Sequence, residues 1–384
     1  MDFESLLRLM VEKKASDLFI TAGASPSLKI HGKLVPVTRT TLPPDKARDA
    51  VLSLMTEDQQ KTFSRTKECN FALSAAGIGR FRVSAFQQRN QSGMVLRRIE
   101  HNIPTLEELS LPPQIKDIAM ARRGLVIVAG ATGSGKTTSL AAMIGYRNQN
   151  SSGHIIAIED PIEFIHQHGQ CIVTQREVGL DTDSFETALK NSLRQAPDVI
   201  QIGEIRSRET MEYALAFAET GHLCLATLHA NNANQALDRI INFFPEDRHR
   251  QICMDLSLNL KGIVGIQLLP ALNRKGRCPV VEILLNTPLM SDMIRNGEFH
   301  QMKELMKKST ENGMQTFDQA LYRLYQGGEI AQDVALHHAD SVNDLRLMIK
   351  MGDVATANEE DGAESAADAA LSGLELVDDK GLHF

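Results

Sequence analysis

The stretch AGATGSGKTT, residues 129–138, has the residue types and spacing of a phosphate-binding loop. It fits the pattern G-x-x-x-x-G-K-[ST] between an apolar run, 124–128, and a helical stretch. Glycines let the backbone turn several N–H groups inward, and the helix N-terminus adds positive potential, so such a loop can hold a triphosphate. The predicted binding residues are Gly130, Thr132, Gly133, Ser134, Gly135, Lys136, Thr137 and Thr138.

Two side chains of this loop carry the predicted chemistry. Lys136 is expected to pair with the β- and γ-phosphates, and the Thr137 hydroxyl is expected to ligate Mg²⁺. The predicted cofactors are therefore ATP and Mg²⁺. The alternative at this point is a glycine-rich turn that binds nothing.

Acidic residues follow the next two apolar strands. IIAIEDPIEF brings Glu159, Asp160 and Glu163 to the end of one strand, and DVIQIGEI brings Glu204 to the end of the other. Because the carboxyl ends of parallel strands face the ligand crevice, an acid of the first segment can orient a water for attack on the γ-phosphate. Glu204 can reach Mg²⁺ directly or through water. A solvated acidic loop and a structural glutamate are the alternatives.

Histidines and arginines complete the candidate set. His222 and His229 bracket an apolar run and lie too far apart to share a zinc ion easily. His229 can sense a γ-phosphate or satisfy a backbone group. Guanidinium groups near these elements can bind phosphate or reach a neighbouring subunit, although most surface arginines are simply solvated. These arginines are Arg194, Arg206, Arg208 and Arg239.

The elements that would position these residues indicate an α/β fold. From residue 124 onward short apolar strands alternate with helical stretches, which is typical of a parallel sheet covered on both faces. Residues 1–101 read as a small α+β domain, 102–113 as a proline-punctuated linker, and 114–352 as the main domain with C-terminal helices. Residues 353–384 read as an acidic, disordered tail, most simply a solubilising segment.

Charge and composition exclude several classes. The net charge is −7, but residues 353–384 carry −8, so the rest of the chain is nearly neutral at +1. That balance argues against a nucleic-acid partner. The five cysteines are widely spaced, the N-terminus has no basic leader, and no apolar run approaches the roughly 20 residues of a membrane span. The expectation is a cytoplasmic protein without membrane insertion.

Four motifs together resemble a known family. GATGSGKTT, IEDPIEF, IGEIR and TGHLCLATLHANNA are similar to the Walker A, Asp box, Walker B and His box of the secretion ATPases. ASDLFITAGASPSLKIHGKL and GRFRVSAFQQR resemble the PAS-like domain of the type IV pilus retraction ATPases, the PilT/PilU family. The C-terminal segment PLMSDMIRNGEFHQMKELM keeps Ile294 and Arg295 of the PilT helix but little else, so the chain looks closer to PilU.

The resemblance implies a RecA-like P-loop ATPase core with a smaller N-terminal PAS-like domain. It implies that Glu163 polarises the attacking water and that Glu204 is the Walker B acid on Mg²⁺. His229 joins them as a catalytic residue, and His222 belongs to the same His box. The arginines implied to face the nucleotide or a subunit interface are Arg80, Arg82, Arg194, Arg206 and Arg239.

The resemblance also implies an assembly and a role. It implies a homo-hexamer at the cytoplasmic side of the inner-membrane pilus base, working with a partner retraction ATPase and an inner-membrane platform protein. Hydrolysis would then drive pilus retraction and twitching motility. The alternative is an ATP-binding accessory subunit that docks on the main motor and has little activity of its own. The segment from Pro104 to Pro113 is the predicted hinge between the two domains.

Overall fold

The computed structural model describes residues 2–30, 32–99, 102–273 and 276–351, so the predicted tail, 353–384, lies outside the described residues. The N-terminal part of the chain contains helices and strands in mixed order. They are α1 (Phe3–Glu12), β1 (Asp17–Thr21), β2 (Ser27–Ile30), β3 (Lys33–Pro36), α2 (Pro44–Ser53), α3 (Glu57–Thr66), β4 (Glu68–Ala75), β5 (Gly79–Gln88) and β6 (Gln91–Ile99).

These six strands form one antiparallel sheet in the order β3-β2-β1-β6-β5-β4. The alternation that the sequence shows is real in β5, where Phe81, Val83 and Ala85 are buried in the core of this part. Successive side chains of a strand point to opposite faces. Arg80 and Arg82 therefore lie on the other face of the sheet.

The rest of the described chain is built around a second sheet. Its elements are α4 (Gln114–Ala119), β7 (Gly124–Ala129), α5 (Lys136–Asn150), β8 (Gly153–Glu159), β9 (Cys171–Glu177), α6 (Phe185–Ser192), β10 (Val199–Ile202), α7 (Arg208–Glu219), β11 (Leu223–Leu228), α8 (Ala233–Ile241), α9 (Glu246–Asn259), β12 (Leu260–Pro270), β13 (Arg277–Leu285), α10 (Pro288–Asn296), α11 (Met302–Lys308), α12 (Phe317–Gln326), α13 (Gln332–His338) and α14 (342–351). Three-residue 3₁₀ helices cover Leu193–Gln195, Phe299–Gln301 and Thr310–Asn312.

The second sheet confirms the predicted α/β arrangement. Its order is β13-β12-β7-β11-β10-β8-β9, and all neighbours are parallel except β12 and β13. Helices α6 to α9 cover one face and α4 and α5 the other, so the central strands are buried on both sides. This double burial explains their continuous apolar runs. The ends of β7, β8, β10 and β11 meet along one edge, where the site lies.

Two features of this sheet differ from the sequence-based prediction. The segment PVVEILL has the continuous apolar pattern of the parallel strands, but it lies in β13, which runs antiparallel to β12. Only a few residues separate the two strands in sequence, too few for a parallel crossover. Strand β12 begins directly after the last residue of α9, and the hydrophobic pattern of the sequence shows no boundary between the two elements. Helices α12, α13 and α14 pack on this hairpin through a separate apolar cluster.

Two further properties bear on the predictions. None of the helices in the described residues combines the length and the apolar character needed to span a bilayer. All five cysteines, Cys69, Cys171, Cys224, Cys253 and Cys278, carry free thiols and are buried.

Candidate active site

The phosphate-binding loop joins β7 to α5, as the sequence predicts, and its glycines have identifiable tasks. A Cβ at Gly130 would lie 2.2 Å from Ser134 Oγ and 2.6 Å from the Ile266 carbonyl oxygen. Gly133 and Gly135 have φ angles of +75° and +95°, which side chains rarely adopt. The loop can therefore close tightly over the first turn of α5 only with glycine at these positions.

Lys136 stands at the centre of the loop. Its ammonium donates to the carbonyl oxygens of Gly130 at 2.8 Å and Ala131 at 2.9 Å. The side chain is buried. Burial lowers the pKa of Lys136, whereas the negative charges of Glu204 and Glu163 raise it. Because its hydrogen-bond partners within the loop are neutral, the positive charge remains available to an anion above the loop.

Glu204 and His229 form a pair at the ends of β10 and β11. His229 Nε2 lies 3.0 Å from Glu204 Oε1, and its Nδ1 lies 3.4 Å from the Lys136 ammonium. Arg206 donates from Nε to Glu204 Oε2 at 2.7 Å and approaches Asp160 at 3.7 Å. Burial, and then the charge of Lys136, lower the pKa of His229, which Glu204 partly offsets. A neutral imidazole fits both contacts, with Nε2–H donating to Glu204 and Nδ1 accepting from Lys136.

Glu159, the last residue of β8, is buried at the same edge. Burial raises the pKa of Glu159 to about 7, the charges of Glu163 and Glu177 act in the same direction, and a hydrogen bond from Gln175 at 3.0 Å opposes them. Glu163 follows four residues later and is exposed. A carboxyl that titrates near neutral pH beside a second carboxylate is typical of catalytic sites.

These groups surround one cleft of about 220 Å³. Positive and negative side chains face each other across it, as phosphoryl chemistry requires. The predicted residues that line it are Thr132, Gly133, Lys136, Thr137, Glu163, Glu204, Arg206 and His229. The structure thus brings together the phosphate-binding loop and all three predicted catalytic residues.

The other predicted residues lie outside the cleft lining. Gly130, Ser134, Gly135 and Thr138 belong to the loop and the first turn of α5. His222 lies before the first residue of β11, at the opposite edge of the sheet and about 20 Å from the cleft end at the usual strand rise. Its Nδ1 lies 3.0 Å from Thr220 Oγ1, and its ring contacts Phe217 edge-on.

The predicted arginines lie in three different places. Arg206 lines the cleft, and the charge of Arg239 on α8 helps to lower the pKa of His229, so Arg239 is close. Arg80 and Arg82 act instead on Glu177, whose pKa burial raises and their charges lower. Glu177 is the register partner of Glu159 in the β8–β9 pair. Arg194 is exposed in the 3₁₀ helix that follows α6.

Sequence reasoning did not assign roles to several residues of the cleft. The motif places Glu159 and Glu163 at the same strand end, but it does not show that Glu159 is the buried one. Gln201 is buried on β10, lines the cleft, and has no partner for its Oε1 among the described residues. Thr227 also lines the cleft and donates to the Gly203 carbonyl at 2.5 Å. Gln201 and Thr227 are each a polar residue inside an otherwise apolar strand, and this is the sequence signal by which they could have been found.

Comparison with known proteins decides the family. The family model of the type II/IV secretion system proteins matches residues 3–335. The chain belongs to this family. It is 68% identical over 379 residues to the type IV pilus ATPase PilU of Pseudomonas aeruginosa, covering 99% of this chain and 98% of that protein. It is 38% identical over 342 residues to the type IV pilus retraction ATPase PilT of the same organism, covering 88% and 98%.

A solved structure gives the same result for the fold. The crystal structure of the pilus retraction motor PilT with bound ADP superposes with a TM-score of 0.84 at 37% identity, covering 90% of this chain and 99% of that one. This likeness confirms the predicted fold class, a RecA-like core with a smaller N-terminal PAS-like domain. Membership of the PilT/PilU family, with greater similarity to PilU than to PilT, is confirmed as well.

Proposed function

We propose that the chain is an ATP-hydrolysing motor for type IV pilus retraction and twitching motility. One observation carries the proposal: a phosphate-binding loop, two carboxylates and a histidine converge on one cleft, in a chain 68% identical over nearly its full length to a pilus ATPase. The family supplies nucleotide binding, and the cleft supplies the groups that hydrolysis needs.

The nucleotide is proposed to bind with its phosphates over the loop. Lys136 is already directed into the loop, where its charge can neutralise the β- and γ-phosphates. Mg²⁺ prefers oxygen ligands, and the Thr137 hydroxyl and the Glu204 carboxylate that line the cleft fit it. Bound Mg²⁺ would neutralise charge on the phosphate oxygens. A second groove of about 410 Å³, lined by Leu109, Leu268 and Thr138, adjoins the same helix start and can take the nucleoside.

Hydrolysis is proposed to depend on Glu163. This carboxylate lines the cleft, is exposed enough to hold a water, and faces the same space as Lys136. It can orient the water for in-line attack. His229, held between Glu204 and Lys136, can exchange a hydrogen bond for one to a γ-phosphate oxygen.

Mechanical work on a pilus requires an assembly of subunits, and we propose a homo-hexamer. Arg80, Arg82 and Arg194 lie outside the cleft of their own chain, and on assembly they are proposed to reach a neighbour's nucleotide or the subunit interface. The proposed hinge is the segment from Pro104 to Pro113. The proposed partners are a second retraction ATPase and the inner-membrane platform protein, at the cytoplasmic side of the pilus base.

The function is tested by two substitutions with a matched control. Lys136→Ala is expected to lose ATP binding, since the charge that faces the phosphates is removed. Glu163→Gln is expected to keep binding but to lower kcat by about 100-fold or more. Lys190→Ala, which removes an exposed lysine of α6, is the control and is expected to behave as wild type. A purified wild-type chain without ATPase activity, alone or with its partner ATPase, would contradict the proposal.

An accessory subunit remains the second candidate, and one observation favours it. The segment 288–306 keeps Ile294 and Arg295 of the PilT helix but little else, so this part of the motor differs from PilT. Lys136→Ala distinguishes the two in cells that contain the partner ATPase. Full retraction by this variant would favour the accessory role, whereas lost retraction force would favour a working motor.

A further inference from the structure

The loop that carries Glu163 is held by side chains of the neighbouring strand. It leaves β8 after Glu159 and returns to β9 at Cys171. Glu177, on β9, accepts the Ile162 N–H at 3.3 Å. The part that follows Glu163 is held by a different residue, Gln175.

Gln175 uses both ends of its amide. Its Oε1 accepts the His166 N–H at 2.8 Å, and its Nε2 donates to the Phe164 carbonyl at 2.8 Å and to Glu159 Oε1 at 3.0 Å. One side chain therefore ties the residue after Glu163 to a buried carboxyl of the cleft. The anchor is rigid because β9 is paired with β8 along its whole length.

Only an amide satisfies all three partners. A carboxylate at position 175 would accept from His166 but could not donate to Phe164 or Glu159, and it would add a third negative charge beside Glu159 and Glu163. A methionine would fill similar space and remove these three hydrogen bonds. Gln175 does not line the cleft, so it can act there only through its hydrogen-bond partners, the loop and Glu159.

We propose that Gln175 is a positioning residue for hydrolysis: its amide fixes the 160–166 loop so that the Glu163 carboxylate is held over the cleft opposite Lys136. This inference rests on the proposed function, since it assumes that Glu163 orients the attacking water. Displacement of a catalytic group by about 1 Å is enough to cost a large part of the rate.

The experiment compares Gln175→Met with Gln170→Met in the full chain. Gln170 is an exposed glutamine of the same segment whose amide donates to the Gln149 carbonyl, away from Glu163. Gln175→Met is expected to lower kcat by ~10-fold or more, while KM and the affinity for a fluorescent ATP analogue change by less than ~2-fold. Gln170→Met is expected to match wild type in all three.

A double-mutant cycle separates positioning from general damage. If Gln175 acts through Glu163, adding Gln175→Met to Glu163→Gln lowers kcat no further. A second variant, Gln175→Glu, keeps the size and the acceptor for His166, and it is expected to lose kcat without losing nucleotide affinity. It tests the inference if the methionine variant folds poorly.

The outcomes distinguish this inference from the function on which it rests. If wild type hydrolyses ATP and Glu163→Gln does not, but a folded Gln175 variant keeps kcat within ~2-fold of wild type, the positioning role is overturned and the function stands. The positioning role is also overturned if Gln175→Met lowers kcat by the same factor in wild type and in Glu163→Gln. If wild type itself hydrolyses no ATP, the proposed function fails first.

Discussion

The protonation of three side chains defines the electrostatics of the cleft. Burial acts against the charged form of both Lys136 and His229. The carboxylates Glu204 and Glu163 oppose this shift at Lys136, whereas the charges of Lys136, Arg239 and Arg206 add to it at His229. Glu159 is shifted in the opposite sense by the same burial. Burial in the cleft therefore favours the neutral forms of His229 and Glu159 relative to the same groups in water.

Glu159 gives the first residue-scale prediction, a pH dependence of stability. Its pKa of about 7 in the folded chain lies above the ordinary value of 4.5, so the folded state holds the proton more tightly. Stability from this group is fully present below about pH 4.5 and is lost as pH rises to about 7, by an amount of order 3 kcal/mol at most. Thermal unfolding of wild type and Glu159→Gln across pH 5–8 checks this.

The substitution supplies its own control. A glutamine at position 159 can still accept the hydrogen bond from Gln175 but does not titrate, so its melting temperature is expected to change less across the same pH range. Parallel pH curves for the two proteins would show that Glu159 has an ordinary pKa.

At the scale of elements, the loop between β7 and α5 has no room for a methyl group at position 130. Gly130→Ala would place its Cβ 2.2 Å from Ser134 Oγ and 2.6 Å from a backbone oxygen of β12, so the loop must open. We expect a loss of roughly 1–3 kcal/mol in stability together with much weaker ATP binding. Chemical denaturation and titration with a fluorescent ATP analogue measure both.

Gly145→Ala, inside α5 of the same unit, is the matched control. Its Cβ would meet only Ile103 Cγ2 at 3.8 Å, an ordinary contact, and alanine is the better helix former. We expect unchanged ATP binding and a gain of roughly 0.5–1 kcal/mol. Equal behaviour of the two variants would contradict the proposed strain at Gly130.

The same elements show how far the sequence predicts the site. The loop and the acids at the ends of β8 and β10 could be predicted, because parallel strands bring their carboxyl ends to one edge. Gln175 could not, since β9 is an edge strand with polar residues and gives no apolar run. His222 and His229 are neighbours in one motif, yet the strand between them separates them to opposite edges of the sheet.

A sequence motif also does not show which of its side chains are buried. The motif IEDPIEF presents three acids on equal terms, but only Glu159 is enclosed by the sheet, whereas Asp160 and Glu163 are exposed. The pKa shift of Glu159 therefore depends on strands that lie far away in sequence. The domain limits at residues 101 and 113, and the roles of the site residues, stay predictions.

At the scale of the whole molecule, a short series of charged side chains links the first sheet to the cleft of the second. Arg80 and Arg82 of the first sheet act on Glu177 of the second, Glu177 raises the pKa of Glu159, and Glu159 lines the cleft. A movement of the N-terminal part would thus alter the electrostatics of the nucleotide cleft without touching the phosphate-binding loop.

The proposed reach of Arg80 and Arg82 to a neighbour's nucleotide predicts a concentration-dependent effect. Replacing Arg80 and Arg82 together by alanine is expected to leave the ATP affinity of the unassembled chain within ~2-fold of wild type, because neither lines its cleft. ATPase activity per chain in the assembled protein is expected to fall, since the arginines are proposed to reach a neighbour's nucleotide. ATPase assays over a range of protein concentrations, with light scattering to follow assembly, measure the difference. An equal loss at all concentrations would place their role within one chain.

The enclosure of every native thiol has a practical consequence. A maleimide dye would react slowly with Cys69, Cys171, Cys224, Cys253 and Cys278, because the folded chain shields their sulfur atoms. One new cysteine on the outer face of each sheet unit would consequently accept donor and acceptor fluorophores in the native background. Energy transfer between such labels during turnover would report directly whether the two units rock against each other.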